Sequence, residues 1–427
     1  MITRVSLKNF KLHTSTEIEA APISVFIGPN NSGKSSVFQA LLSLRQAAVA
    51  ARETLFLPVR RQSTSLEQPY LFAADAVIDI GEFSEALRVG QDKMELGLMG
   101  FLEPAKPSSY ASPVEVEFRV VIRDNHLVSH KGRVVYSEYD AQWAWSEREH
   151  PELEIRGGDI PGDLIIHLNV VNHFGLIEPL TRGDRVPDLE RRMADGPVSL
   201  LRSVHCIYPL RGSEEAGYPL PPASPKNLER LALPDRATAL ASILLYEDEL
   251  AQQLSKWLED LVGVGIKVKV LEGPRLTIRT KAMGGKDADT LFLNEGSGAN
   301  QLPFILIPIG LAPQNETILL SEPEAHLHPY GQSHLMKLLL KVQKDKKLQY
   351  FIETHSEHVL HALLHAVAKG TLQKSDLAIF YFKNVNGEAQ VRRLEVNEQG
   401  QVAGGLPDFF DQSLKELTEY LEALEKS

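Results

Sequence analysis

The pattern of apolar and polar residues predicts an α/β protein that begins with three strands and a helix. Residues 2–10 alternate around apolar positions, and residues 15–18 form a short, polar-edged second strand. Residues 23–27, ISVFI, are apolar and β-branched, as is typical of a buried parallel strand. Residues 34–53 have helical spacing and no Gly or Pro, so they predict the first helix.

The middle of the chain predicts an antiparallel β subdomain and then helix. Alternating strands are predicted there at residues 114–122, 134–136, 153–155 and 164–171. An amphipathic stripe over residues 236–262 predicts one long helix, and two strands follow it, at residues 266–270 and 276–279. From residue 290 onward, helices and strands alternate again.

Composition and charge narrow the class of protein. The chain has 427 residues, 43% hydrophobic and 24% charged, which is close to the average of soluble globular proteins. Its net charge of −11 does not favour general nucleic-acid binding, for which a basic excess is expected. The single cysteine, Cys206, excludes an intrachain disulfide and suits a reducing compartment. No signal-peptide or membrane-helix pattern is present, so we expect a cytoplasmic protein without a membrane partner.

A phosphate-binding loop lies between the third predicted strand and the first predicted helix. The sequence GPNNSGKSS contains the G-x-x-x-x-G-K-[ST] pattern, in which backbone N–H groups and a helix N-terminus surround a phosphate. Lys34 should reach the β- and γ-phosphates, and the Ser35 hydroxyl should ligate Mg²⁺. The nucleotide-binding residues predicted here are Gly28, Pro29, Asn30, Asn31, Ser32, Gly33, Lys34, Ser35 and Ser36.

Two apolar strands near the C-terminal end run into polar turns that could complete the site. Residues 317–324, TILLSEPE, resemble a Walker B strand, where one carboxylate holds the metal and the next polarises the attacking water. Residues 349–356, QYFIETHS, end in His355, and a histidine there can contact the γ-phosphate. Taken singly, each segment also fits an ordinary strand end.

A third segment places glycines and a serine directly before an apolar, helix-like run. Its residues Gly296, Ser297 and Gly298 could form a second anion-binding cap at a helix start. An ordinary loop explains this segment equally well when it is considered alone. The order of all three segments behind a phosphate loop favours the functional interpretation.

Four segments together resemble the RecF/SMC/OLD branch of ABC-type ATPases: residues 28–36, 296–301, 321–329 and 353–356. The opening ITRVSLKNFK and the closing PDFFDQ are also similar to members of that branch. The resemblance implies an α/β ABC-type P-loop ATPase head with an antiparallel β subdomain and a helical insertion. It also implies one split head over residues 1–427. Its parts would be an N-terminal lobe at 1–55, a β-rich and helical insertion region at 56–269, and a C-terminal lobe at 270–427.

The resemblance further implies how the site works. ATP and Mg²⁺ would be the cofactors, with Lys34 and Ser35 in the phosphate loop, Glu322 as general base and His355 as the switch histidine. In this branch two heads enclose two nucleotides, so Ser297 and Gly298 would reach the γ-phosphate bound to the opposite copy. The expected partner is therefore the chain itself, as an ATP-dependent homodimer or higher oligomer.

One position departs from the family pattern. Ser321 stands where Asp or Glu usually precedes the catalytic Glu, and a serine is a weaker partner for the water shell of Mg²⁺. We therefore expect slow ATP hydrolysis, or a contribution from Glu324. Gln68 is a candidate for the glutamine of the Q-loop, although nothing in its surroundings marks it.

The sequence leaves several functions open. The favoured hypothesis is a slow ATPase that controls a separate effector protein. The family likeness implies that the two act together in anti-phage defence. The alternatives are a non-hydrolysing nucleotide-dependent scaffold and a RecF-like DNA repair accessory. DNA contact remains an alternative because of a basic run at a predicted helix end. A solvated helix terminus is the simpler interpretation of that run. A nuclease domain is not expected, because about 70 residues follow His355 and a typical domain needs roughly 100.

Overall fold

The computed structural model describes much of the N-terminal and C-terminal parts of the chain and shorter stretches of the middle. The described residues are 1–56, 83–103, 113–123, 126–136, 139–146, 152–157, 164–170, 177–179, 196–207, 218–219, 236–271, 275–282 and 290–405.

Eighteen strands and nine α-helices are labelled in the described residues. The strands are β1 (Ile2–Phe10), β2 (His13–Glu19), β3 (Ile23–Ile27), β4 (Lys93–Leu102), β5 (Val114–Arg123), β6 (His126–Tyr136), β7 (Tyr139–Ser146), β8 (Glu152–Gly157), β9 (Leu164–Val170), β10 (Ile177–Pro179), β11 (Val204–Ile207), β12 (Tyr218–Pro219), β13 (Val264–Val270), β14 (Arg275–Ala282), β15 (Thr317–Ser321), β16 (Gln349–Glu353), β17 (Leu377–Val385) and β18 (Glu388–Leu394). The helices are α1 (Lys34–Phe56), α2 (Phe83–Ala86), α3 (196–202), α4 (Arg236–Tyr246), α5 (Asp248–Val262), α6 (Ser297–Gln301), α7 (Pro303–Leu311), α8 (Pro329–Lys346) and α9 (Glu357–Ala368).

A six-stranded sheet carries the motifs that the sequence singles out. Its order is β11-β15-β16-β3-β17-β18, and all neighbours are parallel except the last pair. The strand before the phosphate loop, β3, therefore lies beside β16 and one strand away from β15. Because parallel strands end at the same edge of a sheet, the polar turns after these three strands meet there.

Both faces of this sheet are buried, which explains its continuous apolar strands. On β3, Ile23, Val25 and Ile27 face a core shared with helices α4, α5, α7, α8 and α9. Phe26 faces the opposite core, which α1 and the large antiparallel sheet share. Its ring centroid lies 5.5–5.7 Å from those of four other aromatic rings, those of Phe38, Phe351, Phe380 and Phe382. This aromatic cluster supports the strand that leads into the phosphate loop.

The predicted antiparallel β subdomain is confirmed as a nine-stranded sheet. Its order is β10-β9-β8-β7-β6-β5-β4-β1-β2, with antiparallel pairing throughout. The first two strands of the chain thus join strands from its middle, and β11 from the middle joins the parallel sheet. A third sheet, β12-β14-β13, packs against α4 and α5. The fold is mixed α/β with an antiparallel β subdomain, as predicted.

The structure differs from the sequence prediction in one helix. Residues 236–262 form two helices, α4 and α5, because Glu247 leaves the helical conformation with φ −115° and ψ 72°. Backbone hydrogen bonds continue across the break, from Glu247 N–H to Ile243 and from Ala251 N–H to Glu247. No Gly or Pro marks the bend, so the apolar stripe alone could not predict it. The helix α5 ends at Gly263, whose φ of 75° is left-handed.

Candidate functional site

The phosphate loop joins β3 to α1 as the sequence predicts. The Lys34 ammonium is buried in the loop, where its Nζ donates to the carbonyls of Gly28 at 2.9 Å and Pro29 at 2.8 Å. Burial lowers the pKa of Lys34, while the carboxylates of Glu353 and Glu322 act to raise it. The cation therefore lies at the mouth of the loop with acidic groups on its far side.

Glycine is required at the first position of the loop. Gly28 has φ +137°, and an added Cβ would lie 2.1 Å from the carbonyl oxygen of Phe382 on β17. Only a residue without a side chain lets the loop leave β3 so close to the neighbouring strand.

Two side chains hold the loop from outside. The His13 ring is fully buried, with Nε2 3.0 Å from the carbonyl oxygen of Gly33 and Nδ1 2.8 Å from Thr16 Oγ1. Because a carbonyl only accepts, Nε2 carries the proton and Nδ1 accepts from Thr16. Burial lowers the pKa of His13, which favours this neutral form. On the other side, Asn384 Nδ2 donates to the carbonyl of Asn31 at 3.0 Å.

Glu353, at the end of β16, is the carboxylate that contacts Ser35, the loop serine predicted to bind the metal. Its Oε1 accepts a 2.5 Å hydrogen bond from Ser35 Oγ, and its Oε2 accepts a 3.2 Å bond from Ser321 Oγ. The side chain is buried, and burial raises the pKa of Glu353, whereas the bond from Ser35 and the charge of Lys34 act to lower it. The sequence places this residue within the 349–356 segment, but no role was predicted for it.

Glu322 and His355 follow the ends of β15 and β16 and line the same cleft. Glu322 has a left-handed backbone, with φ +45°, and its N–H donates to the carbonyl of Glu353 at 2.8 Å. A non-glycine residue in this conformation is strained, and such strain concentrates at functional sites. Partial burial and the charge of Lys34 lower the pKa of His355, while Glu322 acts to raise it.

These residues surround a cleft of about 480 Å³ above the carboxyl ends of β3, β15 and β16. Among the predicted site residues, Lys34, Glu322 and His355 all line it, together with loop residues 30–36. Its remaining lining residues, which sequence reasoning missed, are Lys11, Leu12, Gln39, Glu85, Leu87, Val89 and Glu353. Most of these residues belong to the β1–β2 turn or to α2 and the segment after it, and together they form one wall of the cleft. The two parts of the wall are joined by backbone hydrogen bonds, such as the one from Lys11 N–H to the carbonyl of Ala86.

The expectation that Glu324 contributes to the site is wrong. Its side chain is 7% exposed and does not line the cleft. One carboxylate oxygen accepts from Thr354 Oγ1 at 2.5 Å and from the backbone N–H of His355 at 3.0 Å. Glu324 therefore fixes the turn that carries His355, because these two bonds hold its carboxylate against the backbone.

The glycine-serine segment lies away from the cleft of its own chain. Gly296 and Ser297 are exposed at the start of α6, and none of the residues Gly296, Ser297 and Gly298 lines the cleft. Gly298 packs against the loop after β15, where an added Cβ would lie 2.6 Å from the carbonyl oxygen of His326. The segment therefore packs against the 322–328 loop and lies outside the cleft.

Part of the chain matches a known protein family. The chain matches the AAA ATPase domain family over residues 1–85 and 239–360, which contain the phosphate loop, the 296–301 segment, Glu322 and His355. The matched residues are therefore similar to an AAA ATPase domain, in agreement with the predicted resemblance to RecF/SMC-like ABC-type ATPases. The expected lack of a nuclease domain stays a prediction. Residues 372–419 match a second family, described as a protein of unknown function (DUF3696).

Solved structures similar to this chain include SMC heads. The SMC head domain from Thermotoga maritima matches with 14% identity and a TM-score of 0.42, covering 92% of this chain and 99% of that one. The Smc head with an extended coiled coil, bound to the C-terminal domain of ScpA and derived from Pyrococcus furiosus, matches with 13% identity and a TM-score of 0.40, covering 98% and 99%. No curated protein matches the chain.

The residues of the cleft fit a magnesium-bound nucleotide. Mg²⁺ prefers hard oxygen ligands and is held in nucleotide sites by one or two carboxylates, a loop hydroxyl and the phosphates themselves. Ser35, Glu322 and Glu353 supply such oxygens around Lys34. Within the described ranges, no cluster of three or more His, Cys, Asp or Glu side chains could hold a metal ion by itself.

The basic run at the end of α8 has a structural use. Lys346 Nζ donates to the backbone carbonyls of Gly310 at 2.5 Å and Ala312 at 2.9 Å, and so caps the C-terminus of α7. Gln68 and residues 407–412 lie outside the described residues. In the part of the chain that the structure describes, no helix has both the length and the apolarity needed to cross a bilayer.

Proposed function

We propose that the protein binds Mg²⁺-ATP in this cleft, hydrolyses it slowly and uses it to bring two copies together. The observation that carries the proposal is the convergence of Lys34, Glu322 and His355 from three strand ends on one cleft. The loop backbone and Lys34 would bind the phosphates, and Ser35 with the nearby carboxylates would hold Mg²⁺, which neutralises charge on the phosphates. Glu322 would orient and deprotonate the attacking water, and His355 would contact the γ-phosphate.

Slow turnover follows from the replacement at Ser321. A neutral hydroxyl at this position contributes less than a carboxylate to the electrostatics around Mg²⁺ and the attacking water. The polar groups that define the cleft still support binding. We therefore infer that the nucleotide-bound state lasts long enough to act as a signal.

Dimerisation is supported by the position of the glycine-serine segment, which does not line the cleft of its own chain. Ser297 and Gly296 are exposed and lie outside the cleft of their own chain, so they can meet a nucleotide only when a second copy presents them. A sandwich of two copies would place each glycine-serine segment opposite the phosphate loop of its partner. ATP would then act as part of the interface.

The output of such a cycle is a change of assembly state that a separate effector protein can detect. The setting in anti-phage defence follows from the family likeness stated above, and a neighbouring nuclease or toxin gene would support it. A RecF-like role in DNA repair is less favoured, because the net charge of −11 offers no general attraction to nucleic acid. A non-hydrolysing scaffold differs from the proposed ATPase only in turnover.

The direct test measures molar mass by light scattering and phosphate release on the same samples. With ATP and Mg²⁺, Glu322→Gln should double its mass and lose about 100-fold or more of the turnover, since it keeps the nucleotide but lacks the base. Ser297→Arg should bind ATP and stay at its starting mass, whereas Lys34→Met should neither bind ATP nor gain mass. If Glu322→Gln binds ATP without a change of mass, the dimer proposal fails. A normal mass change without phosphate release in the wild type would leave the scaffold function instead.

A further inference from the structure

We propose that Glu353 supplies the acidic metal contact that Ser321 cannot, so that the Walker B acid has moved to the neighbouring strand. This inference rests on the proposed function, since it concerns how the same cleft holds Mg²⁺ with ATP. It refines the interpretation of the Ser321 departure, because a relocated carboxylate would keep the binding of Mg²⁺, while turnover stays slow with a neutral group directly before Glu322.

Strand register brings the two positions together. Ser321 ends β15 and Glu353 ends β16, and they are direct partners in the parallel pairing of these strands. Glu353 is also the register partner of Phe26 on β3, two residues before the phosphate loop. A carboxylate at the end of β16 is therefore one strand closer to the loop than one at the end of β15.

Hydrogen bonds show that Glu353 occupies the metal side of the cleft. Its two oxygens are shared between Ser35, which carries the hydroxyl expected to ligate Mg²⁺, and Ser321. A hydroxyl that donates to a carboxylate holds it in position, so Ser321 positions the acid. Both oxygens of the carboxylate thus lie within the small space between the loop serine and the end of β15.

The charge balance of the cleft favours a divalent cation at this place. Glu353 is 3% exposed, and an ionised carboxylate that is so well buried needs positive charge nearby. Lys34 is the nearby cation that acts on both Glu353 and Glu322, and its Nζ donates to carbonyls of its own loop. When the phosphates of ATP enter, negative charge increases further, and Mg²⁺ beside Ser35 and Glu353 would offset it.

Two other acids that follow the end of β15 do not fit this role. Glu324 is held by Thr354 and the backbone of His355, outside the cleft. Glu322 lines the cleft beside His355 on a strained turn, which suits the base that meets the attacking water. Glu353 is the remaining carboxylate of the cleft that bonds to the loop serine.

The test measures the affinity for ATP by calorimetric titration, once with excess Mg²⁺ and once with EDTA. The ratio of the two dissociation constants reports how much the metal strengthens binding, independently of turnover. The variants are Glu353→Gln, Ser321→Asp and the double variant Ser321→Asp/Glu353→Gln. Glu357→Gln is the matched control, because it makes the same chemical change four residues along the chain at a position that does not line the cleft.

We expect the wild type and Glu357→Gln to bind ATP at least about tenfold more tightly with Mg²⁺ than with EDTA. In Glu353→Gln this ratio should fall by about 10-fold or more, the usual effect of losing a group that holds or orients a metal ligand. Affinity in EDTA should stay the same or rise, because a negative charge near the phosphates is gone. The double variant should recover the magnesium effect, since an acid returns to the end of β15.

The proposal is overturned if Glu353→Gln keeps the full magnesium ratio. It is equally overturned if this variant loses affinity to the same extent with Mg²⁺ and with EDTA, which is the pattern of a purely structural residue. A wild-type protein that binds no ATP in either condition would refute the proposed function itself. The two failures are therefore distinguishable.

Discussion

Replacement of Gly28 by alanine probes the feature on which the phosphate loop depends. The residue has φ +137°, a conformation that residues with a side chain rarely adopt. Its added methyl group would lie 2.1 Å from the carbonyl oxygen of Phe382, whereas ordinary contacts begin at 3.4 Å. The obstacle is backbone in a central sheet, so no side-chain rotation can relieve it.

The cost of this substitution has two parts. A non-glycine residue in such a conformation costs about 1–3 kcal/mol, and forcing a group into a packed interior costs about 1–3 kcal/mol more. The sum, about 2–6 kcal/mol, is a large share of the roughly 5–15 kcal/mol that stabilises a typical domain. Relief requires the loop to move away from β17, which also displaces the amides that bind phosphate.

Urea unfolding followed by circular dichroism, together with calorimetric ATP titration, measures both effects. We expect Gly28→Ala to lose at least about 2 kcal/mol in the free energy of unfolding and most of its affinity for ATP. Gly296→Ala is the control, because an added Cβ there meets nothing within 4 Å, and its stability should change by less than about 0.5 kcal/mol. If Gly28→Ala unfolds at the wild-type urea concentration and binds ATP normally, the described loop geometry is incorrect.

Three further predictions concern buried polar groups. Burial lowers the pKa of His130 from 6.5 to about 4. Between these pH values only the unfolded chain takes up the proton, so acidification from about pH 6.5 to pH 4 should lower the free energy of unfolding by about 3 kcal/mol. Urea titrations should show a smaller loss in His130→Gln, and identical pH profiles of the two proteins would contradict this prediction. The Tyr350 hydroxyl is buried without a hydrogen-bond partner among the described residues, so Tyr350→Phe should raise the unfolding free energy by about 1 kcal/mol, and a loss of that size would count against the packing described. Finally, His13→Phe removes the bond to the Gly33 carbonyl and should weaken ATP binding about 3- to 10-fold by calorimetry, whereas unchanged affinity would show that the ring does not position the loop.

Local patterns were sufficient to predict the centre of this site. The apolar strand, the glycine loop and the following helix are contiguous in sequence, and the chemistry of phosphate binding fixes their order. The same holds for Glu322 and His355, which directly follow apolar strands. Parallel strands then bring these ends together, so the convergence follows from the pattern once one sheet is assumed.

Other parts of the site depend on register and on contacts between distant segments. The pairing of Ser321 with Glu353 follows from how β15 aligns with β16, and a strand-end glutamate has no mark of its own in the sequence. The cleft wall at residues 85–89 docks on the β1–β2 turn from far along the chain, and no periodicity predicts that contact. Glu324 was misassigned because sequence spacing does not tell which way a side chain turns after a strained residue.

Direct titration of ATP with Mg²⁺ into the wild type, Lys34→Met and the control Lys341→Met tests the central claim most directly. Lys34 is buried in the phosphate loop, whereas Lys341 is an exposed lysine on α8. Our account predicts saturable binding of one nucleotide per chain in the wild type and in Lys341→Met, and a loss of at least about 100-fold in affinity for Lys34→Met, because a charge-assisted contact to the phosphates is removed. Equal affinity in all three proteins, or no binding by the wild type, would contradict it.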